Sequence, residues 1–328
     1  MAHKVAVGSI AVGSIGELLV EFVCAEQDSH NRRAASYAGP FPSGAPGIFI
    51  DQAAQVGARA IFAGAVGTDA FGDVLLERLN ASGVALDLIR RIPDRPTGTA
   101  MVAYNSDGSR DFVFNIAQSA APLFDDAETI SARFRDFKLD LLHVSGSALT
   151  DPGMAATILM VCEALHGEGV KISFDPNVRK ELADDAGYLA TVQRLTAISH
   201  YFLPSEEDLA FLYPERSFES VAMTLFAQGT EVAVLKRGSR GCAAIARDGT
   251  AAALDAHKVK VVDPTGAGDC FCATFVTLMA GGAVDLRAAL AHANAAGALA
   301  VMQLGPMEGN APLSKIESFL KHPVELAS

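Results

Sequence analysis

The sequence has no tryptophan, and aromatic residues make up only 7% of its 328 positions. Half the residues are hydrophobic and 29 are glycine, a composition that suits close-packed helices on a central sheet. Basic residues are outnumbered by acids, 26 to 38, and a formal charge of −12 argues against a nucleic-acid backbone or an anionic membrane as partner. It does not argue against ATP, since a triphosphate is held by local N–H groups and Mg2+ rather than by net charge. No window reaches the ~18 unbroken apolar residues of a membrane span. The apolar opening, 1–20, is broken by Gly8, Ser9, Gly13 and Ser14 and runs into Glu17 and Glu21 without a small-residue cleavage site. A buried first strand is expected there rather than a secretory signal. The string Ala-Val-Gly-Ser-Ile occurs at 6–10 and again at 11–15, and either copy fits that strand.

Five cysteines (Cys24, Cys162, Cys242, Cys270 and Cys272) show neither zinc-knuckle nor Cys-x-x-Cys spacing. They are expected as small core residues of a cytoplasmic chain. A P-loop and the G-x-G-x-x-G fingerprint are both absent, so any phosphate cradle must be of another kind.

What is present is a βαβ rhythm. Strand-like runs at 59–63, 139–144, 170–174, 200–203 and 231–235 each feed a helical run within a few residues. The helical runs are 47–56, 70–82, 154–166, 188–198, 206–212, 219–227, 270–280, 286–302 and 313–320. This pattern predicts an α/β chain with a doubly wound, mostly parallel sheet and helices on both faces. Length alone allows roughly two domains or one large one. Residues 17–24 and 97–116 have strand character without intervening helices, and the second reads as a hairpin turning at Asp107-Gly108.

The most informative stretch is Asp263-Pro264-Thr265-Gly266-Ala267-Gly268-Asp269-Cys270-Phe271, a glycine bend followed by an apolar helix. Such a helix start points unpaired N–H groups and the positive end of its dipole outward, which makes an anion site. An acid in its mouth repels the anion and needs a reason. Deprotonating a hydroxyl that attacks a bound phosphoryl group is one, and makes Asp269 the candidate base beside the N–H groups of Gly266, Ala267 and Gly268. A helix cap is the plain alternative.

This stretch resembles the second signature of the ribokinase-like (PfkB) sugar kinases, D-T-x-G-A-G-D-x-F, and the resemblance extends over nearly the whole chain. It implies a single kinase domain, 1–328, with a small discontinuous β-sheet lid from about 17–40 and 97–116. It also implies ATP, Mg2+ and a monovalent cation such as K+ as cofactors, with Asp263 and Thr265 as cation ligands, and a lid available for a homodimer contact. Gly16-Glu17-Leu18-Leu19-Val20-Glu21 resembles the opening G-E-x-L-x-D, which makes Glu21 the sugar-binding acid. Ser43-Gly44-Ala45-Pro46-Gly47 resembles the first signature, G-G-A-P-x-N, but Ile48 stands where the asparagine would. Gly44 then approaches the ligand, and Asp51, one turn on, is the candidate replacement. Gly64 to Gly72 matches G-x-V-G-x-D-x-F-G, read as a structural turn with Asp69 as N-cap.

Asp175-Pro176-Asn177-Val178-Arg179 resembles D-x-N-x-R and places Asn177 and Arg179 near the sugar or transferred phosphoryl group. Ser205 and Asp208 occupy the N-x-x-E element tied to phosphate and, through water, to Mg2+, although the same spacing is that of a capping box. Lys236, Gly238 and Gly241 resemble the nucleotide-side K-x-G-x-x-G, and Asn294 sits in the small-residue helix that borders adenine in relatives. The family's 2-keto-3-deoxygluconate kinases hold the substrate carboxylate with an arginine at the position matched here by Asn115, which favours a neutral ketohexose such as fructose or tagatose. Arg110 and Arg179 keep an acid sugar open. A nucleoside is weaker because the lid offers few aromatic rings for stacking, Tyr104, Phe112 and Phe114 being the candidates. The rival from another class is a catalytically inactive sugar-binding regulator.

Overall fold

The structure, a computed structural model, describes residues 10–322. The strands run β1 (Ala11–Ile15), β2 (Leu19–Cys24), β3 (Tyr37–Ser43), β4 (Arg59–Gly67), β5 (Ala85–Ile92), β6 (Gly98–Tyr104), β7 (Arg110–Asn115), β8 (Leu141–Ser145), β9 (Lys171–Asp175), β10 (Tyr201–Phe202), β11 (Val232–Lys236), β12 (Cys242–Ala246) and β13 (Ala251–Leu254). The helices are α1 (Ala45–Gln55), α2 (Ala70–Ala81), α3 (Ala127–Asp136), α4 (Pro152–Gly167), α5 (Ala186–Ile198), α6 (Glu206–Leu212), α7 (Phe218–Gln228), α8 (Ala267–Ala280), α9 (Leu286–Ala300) and α10 (Leu313–Lys321). The second copy of the repeated string is therefore the first described strand, and 6–9 of the other copy lie outside the described residues.

Nine strands form one sheet in the order β13-β12-β11-β10-β9-β8-β1-β4-β5. Pairing is parallel from β11 to β5, and β12 and β13 add an antiparallel hairpin at one edge. Successive side chains of a strand point to opposite faces, so the central strands feed two separate cores. Ile61, Ala63, Leu142, Val144, Ile172 and Phe174 pack under Ile130, Phe134, Ile158, Val161 and Val192 of α3, α4 and α5. Ala60, Phe62, Leu141, Val232 and Val234 pack under Phe49, Leu75, Phe271, Phe275 and Leu290 of α1, α2, α8 and α9. Each fully buried Leu, Ile or Phe contributes about 1.5–3 kcal/mol, so these two layers hold the sheet that positions the site.

The lid is a separate four-stranded sheet, β3-β2-β6-β7. Its hairpin turns at 105–109 as expected, with Gly108 at φ 84 and Asn105 N–H donating to the Ser109 carbonyl at 2.9 Å. Its strand β3 runs on to Ser43, past the expected limit at 40. Asp69 caps α2, accepting from Gly72 N–H at 2.9 Å, but Gly64–Gly67 continue strand β4 rather than form a turn.

Candidate active site

The parallel strands end together, and the residues at their C-terminal ends form a connected polar floor. Ser147, just after β8, donates to Glu17 Oε1 at 2.7 Å, and its Oγ lies 3.1 Å from Ser145 Oγ. Asn177 Nδ2 donates to Ser145 Oγ at 3.2 Å, and its backbone N–H reaches Asp175 Oδ1 at 3.3 Å. Asp175, buried at the end of β9, pairs through Oδ2 with the Lys236 ammonium. Lys236 at the end of β11 closes the row against the start of α8, where a Cβ on Gly268 would lie 3.7 Å from Lys236 Nζ.

The start of α8 has the form expected of an anion loop. Gly266 is the N-cap at φ 81, and a side chain there would run into the Pro306 carbonyl. Only glycine fits both constraints. Gly268, by contrast, lies inside the helix without positive φ, and no group but Lys236 Nζ approaches its Cβ position within 4 Å. The N–H groups of Ala267, Gly268 and Asp269 have no carbonyl one turn earlier in the helix to bond. Three free donors beside an ammonium, around a spot that a side chain would fill, suit a phosphate group. Ammonium at a helix N-terminus is disfavoured by the dipole, and Asp175 offsets it here.

Asp269 sits at the third position of α8 and is buried. Burial pushes its carboxyl up to about 8, with the charges of Asp175 and Glu17 adding to the rise and Lys236 and Arg179 opposing it. Arg179 thus faces the acids from the loop after β9, where its backbone N–H donates to Tyr188 Oη at 2.9 Å.

The lid closes the other side. Strand alternation puts Tyr104, Arg110, Phe112 and Phe114 on one face, with Glu21 of β2 beside them. Arg110 Nη1 reaches Thr265 Oγ1 at 3.4 Å, and its guanidinium lies over the Phe112 ring at 5.5 Å. The Tyr104 hydroxyl donates to Asp263 Oδ1 and lies 3.2 Å from Thr265 Oγ1. Asp263 also accepts from Thr265 N–H at 2.9 Å and from Gly305 N–H at 3.0 Å, so three donors already share its carboxylate. Glu21 accepts from Ser43 Oγ at 3.3 Å, and burial with the nearby Asp263 charge lifts its carboxyl to about 7. Between lid and body a cavity of about 330 Å3 is lined by Val23, Ala38, Tyr104, Val262 and Leu304. A recess of about 630 Å3 lies elsewhere, between α2 and the lid edge around Phe71, Thr99 and Asn115, away from Asp269.

Several sequence expectations need correction. Asp51 is not a substrate contact. It is fully buried and makes a bidentate pair with Arg78 at 3.0 Å, bonds the Ser82 hydroxyl, and accepts from Asn310 Nδ2 at 2.6 Å. Ile48 packs with Cys270, Ala300 and Met307 behind the anion loop, so the apolar replacement serves the core. Asp51→Ala should cost about 3–5 kcal/mol, the usual result of stranding one half of a buried pair. Thermal melts check this, with the apparent KM values for both substrates expected to stay within about twofold in the folded fraction.

Asn115 falls on the lid face opposite Arg110, where its Nδ2 donates to Thr99 Oγ1 at 3.3 Å. A side chain at that position points away from the face that Arg110 occupies, so the missing arginine does not bear on the substrate's charge. Asp208 forms the capping box with Ser205: its Oδ2 accepts from Ser205 N–H and Oγ, both at 2.7 Å, and its Oδ1 accepts from Val178 N–H at 2.8 Å. The capping alternative is what is built. Gly44 lacks a side chain because one would lie 2.6 Å from the Glu17 carbonyl, and Gly241 because the Leu254 carbonyl blocks it. Gly238, at φ 54, does face open space. Asn294 Nδ2 donates to the Asp255 carbonyl at 2.8 Å, tying α9 to the end of β13.

Sequence reasoning missed Asp175 as the partner of Lys236, Tyr104 as a tie between lid and loop, and Glu17. Asp175 stood in the D-x-N-x-R stretch and Glu17 in the G-E-x-L-x-D stretch, but pairing across 61 residues left no local trace.

The fold, the anion loop and its buried acid define a carbohydrate kinase of the ribokinase-like class. Residues 11–312 match the pfkB family carbohydrate kinase pattern, and the chain belongs to that family of ATP-dependent sugar kinases. It is 33% identical over 273 residues to a fructokinase from Klebsiella pneumoniae, spanning 81% of this chain and 87% of that one. It is 30% identical over 275 residues to a 2-dehydro-3-deoxygluconokinase from Bacillus subtilis (strain 168), spanning 81% and 82%. An E. coli protein provisionally labelled ribokinase II, crystallised with ATP and Mg2+, shares 34% identity and a TM-score of 0.88 over 95% of this chain and 99% of that one.

Proposed function

We propose that the enzyme transfers the γ-phosphate of ATP to a primary hydroxyl of a small neutral ketohexose such as fructose or tagatose, with Asp269 as general base. The observation that carries this is the placement of Asp269, a buried acid raised to about 8 at the start of α8, beside free N–H groups and the Lys236 ammonium. A carboxylate with such a value is a far better proton acceptor at neutral pH than an ordinary aspartate. The N–H groups of Ala267, Gly268 and Asp269 stabilise charge that develops on the transferred group, and Lys236 adds a point charge there. Gly238 and the rest of the 236–241 turn flank the nucleotide.

Among the described residues no cluster of three His, Cys, Asp or Glu side chains would hold a metal alone. Mg2+ bound with the nucleotide would supply charge neutralisation at its phosphates. Asp263 and Thr265 are the proposed neighbours of a monovalent cation such as K+, which would share the Asp263 carboxylate with its present donors. Met101 and Val113, 36% and 44% exposed on the lid's outer face, support a lid-to-lid homodimer.

The neutral substrate rests on the acids under the lid. Glu17 and Glu21 are acceptors that suit hydroxyl donors, and in their ionised forms they repel a carboxylate. One observation favours a second reading, the acid sugar: Arg110 lies on the site face of the lid, within reach of Thr265. Turnover on fructose, tagatose and 2-keto-3-deoxygluconate separates the two. At least one ketohexose is expected to exceed the acid by about tenfold or more in kcat/KM, and a higher value on the acid would assign Arg110 to its carboxylate.

A further inference from the structure

We infer that Glu17 is a second sugar-binding acid, which grips a substrate hydroxyl from the sheet side while Glu21 grips another from the lid. This rests on the sugar-kinase reading above and names a specificity-determining residue within it.

Eight buried side-chain atoms lack a hydrogen-bond partner among the described residues, and the only carboxylate oxygens in that group are Glu17 Oε2 and Glu21 Oε1. The two acids are built alike. Glu17 is 6% exposed and Glu21 3%, and each has its other oxygen held by a serine hydroxyl, Ser147 at 2.7 Å and Ser43 at 3.3 Å. Leaving a buried carboxylate oxygen bare costs free energy, and folded chains rarely tolerate it without a use. A sugar hydroxyl is a donor that would satisfy it.

Position supports the same role. Glu17 follows Gly16 at the C-terminal end of β1, where ligands of doubly wound sheets sit. It heads the polar floor that runs through Ser147, Ser145, Asn177 and Asp175 to Lys236 and the anion loop. Its charge is felt by Asp269 and it feels that of Arg179, and it does not line the recess near Asn115. Glu21, in contrast, senses Asp263 and Arg110 at the lid end. A small sugar whose reacting hydroxyl meets Asp269 would therefore present its other hydroxyls to both acids. A purely structural acid at this position would be expected to use both its oxygens within the fold, as Asp51 and Asp208 do.

The test is a steady-state comparison of fructose, tagatose and their monodeoxy derivatives. It uses wild type, the near-isosteric Glu17→Gln, and Ser147→Ala, which leaves Glu17 in place but frees its held oxygen. Wild type should lose tenfold or more in kcat/KM on one particular deoxy sugar, beyond the one lacking the phosphorylated hydroxyl. Glu17→Gln should raise KM for the parent sugar about tenfold or more, leave KM for ATP within twofold, and show little further loss on that deoxy sugar. Ser147→Ala should show the same pattern weakly. Sugar-induced shifts in melting temperature should shrink in both variants. Equal losses across every sugar, or an unchanged sugar KM in folded Glu17→Gln, would overturn the role of Glu17 alone. No turnover of any of these sugars by wild type would instead overturn the neutral-ketohexose reading on which the proposal rests.

Discussion

Asp269→Asn is expected to lower kcat by about 10²–10⁴-fold while leaving ATP binding near wild type, the usual worth of a positioned general base. The asparagine keeps the shape of the side chain at the third position of α8 and the N–H groups behind it, so the loss falls on proton removal alone. A variant that keeps more than a tenth of the activity would take Asp269 out of that role. The pH dependence follows from the same burial. With its carboxyl near 8, the base form grows as pH rises, so wild-type kcat/KM for the sugar should climb through that region and the limb should vanish in the variant.

Stability should move the opposite way. The folded state holds this proton more tightly than the unfolded chain, whose aspartate titrates near the ordinary 3.8. Between those values the native state binds more protons, so the stabilising contribution is complete below about 4 and is lost as pH rises through about 8. A displacement half as large corresponds to ~3 kcal/mol, so Asp269→Asn should melt higher than wild type at pH 9, and the difference should shrink as pH falls toward about 4. An enzyme less stable with asparagine at pH 9 would mean that the carboxylate is held ionised by partners, and the burial argument would fail.

Gly268→Val is the second large effect, at least ~10²-fold in rate with stability changed by no more than ~1 kcal/mol. The reason differs from what the glycine pattern suggests. Gly266 carries the left-handed backbone, at φ 81, and its space is taken by Pro306, whereas Gly268 is an ordinary helical residue. A Cβ at Gly268 meets only the Lys236 ammonium, at 3.7 Å, so the fold has room for a side chain to start there. What it fills is the space between the first helical N–H groups and Lys236, where the phosphoryl group would sit. Gly266→Val should do the reverse and lower the melting temperature sharply. The comparison is melting temperature against kcat for the two variants. Near-normal turnover in folded Gly268→Val would reduce the loop to a helix start.

The βαβ rhythm, the lid hairpin and the anion loop with Asp269 were legible in the sequence because each is written locally, in side-chain period, turn residues or helix-start chemistry. Strands β5, β12 and β13 and helix α3 were not legible. β12 and β13 are alanine-rich, with weak intrinsic strand preference, and exist because a neighbouring strand offers its edge. β5 caps the opposite edge and alternates charged with apolar residues in a broken pattern. The site divides in the same way. Resemblance placed Glu21, Lys236 and the glycines at one cleft, but one turn of helix spacing sent Asp51 to the sugar when Arg78 holds it in the core. Strand parity likewise turned Asn115 away from the face that Arg110 shares with the site. The pairing of Lys236 with Asp175, the tie from Tyr104 to Asp263 and the bare oxygen of Glu17 join residues from distant segments. Only packing brings such groups together, because burial and partner geometry are properties of the closed sheet and lid rather than of any stretch of chain.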